Sequence, residues 1–258
     1  MLLVADSGST KCDWILTAPD KQSHKFSTMG FNPFFHNEFI ISEALQRENA
    51  MMNYANDVRE VFFYGAGCSS TERNAIVQRG LQKVFANAKI LVDHDLDGAA
   101  YATCDGKPGI ACILGTGSNS CYFDGQKILE HVPALGYILG DEGSGCYFGK
   151  QLLAMFLYNQ LPENIEKKLR EEYHLSKEVI FENVYNKPNP NVYMASFMKP
   201  LMEFRQDEFL KDFVYKEWLI SLIIMSGLIK ITSMFLCISW VLWLFIFVKS
   251  YKMFAKTT

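Results

Sequence analysis

The first apolar run, Leu2–Ala5, gives way to Asp6-Ser7-Gly8-Ser9-Thr10-Lys11 and resumes at Trp14–Thr17. That pattern predicts two strands flanking a polar turn. Glu38–Asn53 has helical spacing, with Phe39, Ile40, Ala44 and Leu45 as its apolar positions. Val61–Tyr64 is a short apolar strand closing on Gly65-Ala66-Gly67, and Thr71–Ala86 is an amphipathic helix with Ile76, Val77, Leu81, Val84 and Phe85 on one side. Ile90–Val92 reads as another strand, and Gly98–Thr103 starts a helix of small residues. Ile110–Leu114 is a buried strand that ends in a second polar glycine turn. Cys121–Phe123 and Lys127–Leu129 flank Asp124-Gly125, a hairpin signal. Strands interleaved with helices predict an α/β fold. There is no solenoid repeat and no low-complexity segment.

Composition changes this picture in one place. Over all 258 residues, 49% are apolar and 21% charged, with a net charge of −3, which describes an ordinary soluble protein. The average conceals a break at Trp218. Every acid lies before it, whereas Trp218–Thr258 carries only Lys230, Lys249, Lys252 and Lys256, so the first part bears −7 and the tail +4. Ile231–Val248 is an uncharged run of 18 residues, just long enough to span a bilayer. No basic stripe runs along the chain, which argues against a general nucleic-acid binder. The seven cysteines form no CxxC pair, and Met1 leads straight into a strand-like run without a signal peptide. Reduced, buried thiols and a cytoplasmic location are the expectation, with membrane association only if the tail is genuine.

The chain uses one device twice. Asp6–Lys11 (DSGSTK) and Gly115–Ser120 (GTGSNS) each sit between two strand-like runs. Their glycines let backbone N–H groups approach an anion, and their hydroxyls can donate to it. A single Gly/Ser-rich hairpin is most often only a hairpin. Two of them, with an acid in the first, are more specific. Asp6 is suited to hold Mg²⁺ beside phosphates, since a hard cation prefers carboxylate oxygen. Val92–Ala100 (VDHDLDGAA) sets Asp93, Asp95 and Asp97 ahead of a helix. These acids fit either helix capping or a general base that accepts a hydroxyl proton. Gly136–Gly145 (GYILGDEGSG) places Asp141 and Glu142 between glycines, which suits either a sugar-gripping loop or a helix N-cap.

Together with GFNP (Gly30–Pro33), YGAGC (Tyr64–Cys68) and NKPNPNVYMASF (Asn186–Phe197), these segments resemble the sugar kinase/Hsp70/actin superfamily. More narrowly, they resemble the N-acetylglucosamine kinase-like branch of the BadF/BadG/BcrA/BcrD ATPase family. The segments occur in family order over about residues 1–215. The resemblance implies a ribonuclease-H-like (actin-like ATPase) two-lobe α/β fold closing over nucleotide and sugar. The first lobe would span 1–105 and a partial, incomplete second lobe 106–217. It implies ATP-dependent phosphorylation of an amino-sugar hydroxyl, most simply that of N-acetylglucosamine, with Mg²⁺. By the same match, Asp6, Gly8, Ser9, Thr10 and Lys11 form the first phosphate turn and Gly115, Thr116 and Gly117 the second. Asp95 is the catalytic base, ahead of Asp97, which lies two residues nearer the helix. Asn32, Ser118, Asn119 and Asp141 line the sugar. Related kinases are often dimers, so a homodimer is a further expectation. The alternatives are an ATPase that activates a dehydratase, or a non-catalytic sugar-binding or membrane-tethered remnant.

The chain departs from this family at residues 218–258. The family's adenosine-binding glycine segment belongs near the C-terminus, and nothing after Glu217 resembles it. In codons permitted for Cys237–Thr258, however, a shifted frame can encode a Val-Gly-Ser turn followed by an amphipathic helix. The Trp240-Val241 codons force a glycine in that frame. A frameshift near Lys216–Trp218, rather than a membrane anchor, is therefore the expected origin of the tail. A chain without that segment is expected to have impaired kinase activity.

Overall fold

A computed structural model describes residues 1–227 and 236–238; the rest of the hydrophobic tail, and with it most of the membrane-like run 231–248, lies outside the described residues. The chain divides into two compact units, Met1–Ala102 and Thr103–Thr258.

The first unit begins with β1 (Leu2–Ser7), β2 (Lys11–Thr17) and β3 (Ser23–Met29), followed by α1 (Glu38–Gln46) and α2 (Asn49–Met52). It continues with β4 (Glu60–Gly65), α3 (Thr71–Gln82), β5 (Lys89–His94) and α4 (Asp95–Cys104), whose last turn enters the second unit. The sheet order is β3-β2-β1-β4-β5, with β1, β2 and β3 antiparallel and β4 and β5 added in parallel. This is the ribonuclease-H-like order that the resemblance implies.

Period-two alternation sends Leu3, Ala5, Cys12, Trp14 and Leu16 into the core, where helix residues Ile41, Leu45, Val77 and Leu81 meet them. Trp14 lies 6.3 Å from Phe31 and 5.9 Å from Phe63, ring centre to ring centre, so an aromatic cluster underlies the first polar turn. Asn37 caps α1 through Phe39 and Ile40, and Ser70 caps α3 through Arg73.

The second unit starts with β6 (Pro108–Leu114), β7 (Ser118–Asp124) and β8 (Ile128–His131). Helices follow: α5 (Gly136–Leu139), α6 (Gly145–Leu157), α7 (Glu163–Glu171) and α8 (Lys177–Phe181), then a π-helical stretch, Glu182–Asn186. α9 (Pro190–Ser196), α10 (Met198–Glu203), α11 (Glu208–Gly227) and β9 (Leu236–Ile238) complete it. Its sheet runs β8-β7-β6-β9, with β6, β7 and β8 antiparallel and β9 parallel to β6. The pattern repeats the β3-β2-β1-β4 part of the first sheet. The helical core is built on Leu152, Leu153, Phe156, Ile165, Leu169 and Leu201. Among the described residues, no helix is long and apolar enough to cross a membrane.

Several elements differ from the reading of the sequence. β1 and β2 extend through Asp6, Ser7 and Lys11, leaving only Gly8–Thr10 as the turn. The helix predicted over Glu38–Asn53 is two helices, because Glu48 adopts a non-helical backbone. α3 stops at Gln82, and Phe85 is buried from the turn that follows. α4 begins at Asp95 itself rather than near Gly98.

Candidate active site

The first turn is held from below and from one side. Ser7 is fully buried, and its hydroxyl accepts the Phe31 N–H at 2.8 Å and donates to the Gly8 carbonyl at 3.3 Å. Gly30 packs directly beneath: a Cβ there would stand 2.0 Å from the Gly8 carbonyl oxygen. Asn32, buried, donates its amide to Ser9 Oγ at 3.0 Å and accepts the Phe34 N–H at 3.0 Å. Its oxygen and its NH₂ group each retain capacity for one further bond. Gly8, Ser9, Thr10 and Lys11 are thereby fixed while remaining exposed. Lys11 pairs with Asp13 at 2.8 Å, an exposed contact that solvent weakens.

Two carboxylates belong to the same unit. Asp6, near the end of β1, stands in register with Asp13 on β2 and Tyr64 on β4. Exclusion of water holds its carboxyl above the usual range, and repulsion from Asp95 and then Asp13 adds to this. Asp95 is the first residue of α4, directly after β5, where an acid is favoured by the helix dipole. Its Oδ1 lies 2.8 Å from His94 Nδ1. Asp93 ends up on β5, whereas Asp97 shares the first turn of α4 with Asp95.

The chemistry of these donors fits Mg²⁺. Asp6 offers a hard carboxylate oxygen in a field made negative by Asp95 and Asp13. No group of three or more His, Cys, Asp or Glu among the described residues forms an all-protein cage. A cation that keeps water and takes one or two carboxylates plus substrate phosphates requires no such cage.

In the second unit, Gly115–Gly117 links β6 to β7, closed by the Gly115 N–H donating to the Gly117 carbonyl at 2.9 Å. The carbonyls of Gly115 and Thr116 accept the N–H groups of Gly145 (2.8 Å) and Cys146 (3.1 Å), the first residues of α6. The turn thus satisfies two donors that a helix N-terminus leaves open. Ser144 caps α6, its hydroxyl accepting the Tyr147 N–H at 3.1 Å. Asp141 takes a left-handed backbone at φ 61°. Its carboxylate accepts the Ser118 N–H at 3.4 Å and lies so close that a Cβ on Gly117 would stand 2.9 Å from Oδ2. Ser118 Oγ donates to the Glu142 carbonyl at 2.9 Å. Burial raises the Asp141 pKa; the Ser118 hydrogen bond opposes this, Glu142 adds to it and Lys150 again opposes it.

Gly117, Ser118 and Asp141 are therefore gathered at one place. Asn119 follows on β7, with its Oδ1 folded back onto the Ser120 N–H at 2.9 Å. Ser7 and Gly30 as supports of the first turn, and His94 as the neighbour of Asp95, were not singled out from the sequence. The run Asp93-His94-Asp95 and the motif GFNP were the available signals.

No protein-family model matches this sequence, and no curated protein does. Solved structures do match. A candidate N-acetylglucosamine kinase from Porphyromonas gingivalis superposes with a TM-score of 0.81 at 39% identity, covering 87% of this chain and 80% of that one. The chain belongs to the same family of sugar kinases. A second candidate N-acetylglucosamine kinase, from Chromobacterium violaceum, matches with a TM-score of 0.58 at 16% identity over 92% of this chain and 86% of that one, a likeness of fold. As a sugar kinase, the chain is a phosphotransferase with an alcohol group as acceptor.

Proposed function

We propose that this sugar kinase phosphorylates an amino sugar, N-acetylglucosamine first among them, using ATP. The observation that carries this reading is the 39% identity to the Porphyromonas gingivalis protein over most of both chains. Two braced glycine turns and the Asp6–Asp95 carboxylates support it. In this reading Asp6, Gly8, Ser9, Thr10 and Lys11, and likewise Gly115, Thr116 and Gly117, contact the phosphates. Asn32, Ser118, Asn119 and Asp141 receive the sugar hydroxyls, and Asp95 is the general base. The lobes correspond to 1–105 and 106–217.

The acceptor hydroxyl gives its proton to Asp95 as its oxygen bonds to the γ-phosphorus. The bond from that phosphorus to the bridging oxygen breaks, and the electron pair leaves on ADP. Asp6 would hold Mg²⁺, which when bound neutralises charge on the phosphates. Asp141, fixed by Ser118 and crowded by Gly117, presents a carboxylate that can accept two sugar hydroxyls.

The test is incubation of the chain with ATP, Mg²⁺ and single sugars, followed by mass spectrometry of the sugar. Phosphorylated N-acetylglucosamine, formed at the impaired rate expected of a chain without the adenosine segment and absent with Asp95→Asn, is the expected result. No phosphorylated product from N-acetylglucosamine, glucosamine or another hexosamine would overturn the proposal.

A further inference from the structure

We propose that His94 is the positioning residue for Asp95: a proton on its Nδ1 holds Asp95 Oδ1 and leaves Oδ2 to take the proton of the acceptor hydroxyl. The inference rests on reading Asp95 as the base. It starts from an oxygen that lacks a partner. Asp95 Oδ1 is buried and makes no hydrogen bond, although carboxylate oxygens removed from water are costly to leave unpaired. The imidazole Nδ1 of His94 is 2.8 Å away, and the two side chains are only 23% and 19% exposed.

The same nitrogen faces a second group. The Leu96 N–H points at His94 Nδ1 from 3.2 Å, and would donate to it when the proton is on Nε2. One nitrogen cannot accept from Leu96 and donate to Asp95 at once. With the proton on Nε2, a lone pair faces the carboxylate oxygen and Asp95 is unsupported. With a proton on Nδ1, Oδ1 is paired, and the carboxylate can no longer rotate freely about its bond to Cβ. The charges acting on the imidazole favour this second state. Burial pushes its pKa down, but the adjacent Asp95 carboxylate, with the charge of Asp97 beyond it, outweighs burial and favours the protonated ring. Across the sheet, His94 is in register with Gly65, which brings no charge, and strand alternation sends Asp93 to the other face of β5.

His94 exchanges no proton in the transfer itself. The hydroxyl proton passes to Asp95 Oδ2, the new O–P bond forms, and the old one breaks toward ADP. The role is one of geometry, by which a general base must lie within hydrogen-bond reach of the proton it takes.

Two measurements on the full chain test this. Nitrogen-15 signals of the His94 ring are expected to show a proton on Nδ1 at neutral pH, and its pKa is expected to fall in Asp95→Asn. An unprotonated Nδ1, insensitive to Asp95→Asn, overturns the inference. In turnover, His94→Ala is expected to lower kcat by at least about tenfold, with KM for sugar and ATP nearly unchanged. His94→Asn, whose side-chain N–H can stand where Nδ1 stood, is expected to recover most of it. Equal kcat in the wild-type chain and His94→Ala, or equal loss in both variants, overturns the role. A wild-type chain that phosphorylates no amino sugar overturns the substrate assignment instead; the ring signals still decide the His94 contact.

Discussion

Asp6, the carboxylate proposed to hold Mg²⁺, is kept in place at a cost in stability. Its raised pKa means that the folded chain binds a proton more tightly than the unfolded chain does. Stability therefore falls as pH rises from the ordinary value of 3.8 through the higher folded value, and at neutral pH the ionised group opposes folding. In the ligand-free chain, Asp6→Asn is expected to raise the melting temperature. Although water is partly excluded from around its carboxyl, the residue as a whole is exposed, so solvent screening should keep the gain below about 1 kcal/mol, or about 2–4 °C. The same substitution is expected to weaken Mg²⁺-nucleotide binding, and calorimetry of both properties checks the pair. Asp95→Asn should lower turnover by about 10²- to 10⁴-fold, the range of general-base catalysis, while sugar binding stays nearly intact. Asp141→Ala should weaken sugar binding first. Retained turnover in Asp95→Asn would remove Asp95 from the chemistry. At this scale the sequence showed the acids and glycines plainly, because motif spacing is local. It did not show that the Asn32 amide braces Ser9, because that contact joins residues 23 positions apart.

The elements explain where such supports come from. Gly30 follows β3, and its missing side chain lets the chain pass against the Gly8 carbonyl. Gly30→Ala is expected to destabilise the chain by about 1–3 kcal/mol, as overpacking does, and to weaken ATP binding through the displaced turn. Denaturant melts and nucleotide titration would test this; an unchanged turn would leave both untouched. Ser70→Ala should cost about 1 kcal/mol through loss of the α3 cap. Strands with alternating burial, such as β1 and β2, were legible in the sequence. β3 was not: Ser23–Met29 alternates only between exposed and half-buried positions, as an edge strand does, and so lacks an apolar signature. The start of α4 was misplaced because Asp95 and Asp97 read equally well as loop or as first helical turn. The dipole and the preceding strand decide for helix.

The two units carry separate cores, centred on Trp14, Phe31 and Phe63 in one and on Leu152, Phe156 and Leu169 in the other. Phe63→Ala and Phe156→Ala should each cost about 3–5 kcal/mol. Trp14, buried in the first core, should report the loss by fluorescence in Phe63→Ala. Equal transitions in wild type and variant would contradict that core. The sequence alone determined the α/β class, the order of most strands and helices, both glycine turns and the carboxylates beside them. Each of these depends on periodicity or on neighbours a few residues apart. Tertiary structure decided what the sequence could not. It placed β4 and β5 parallel to β1, set Asp141 against Ser118 and Gly117, and brought Gly30 under Gly8. It also left Asp95 Oδ1 facing His94 without a hydrogen bond. Most of these are matters of register and close approach between segments distant in the chain, and even the adjacent His94–Asp95 pair owes its geometry to the junction of β5 with α4. Only the packed chain fixes such distances.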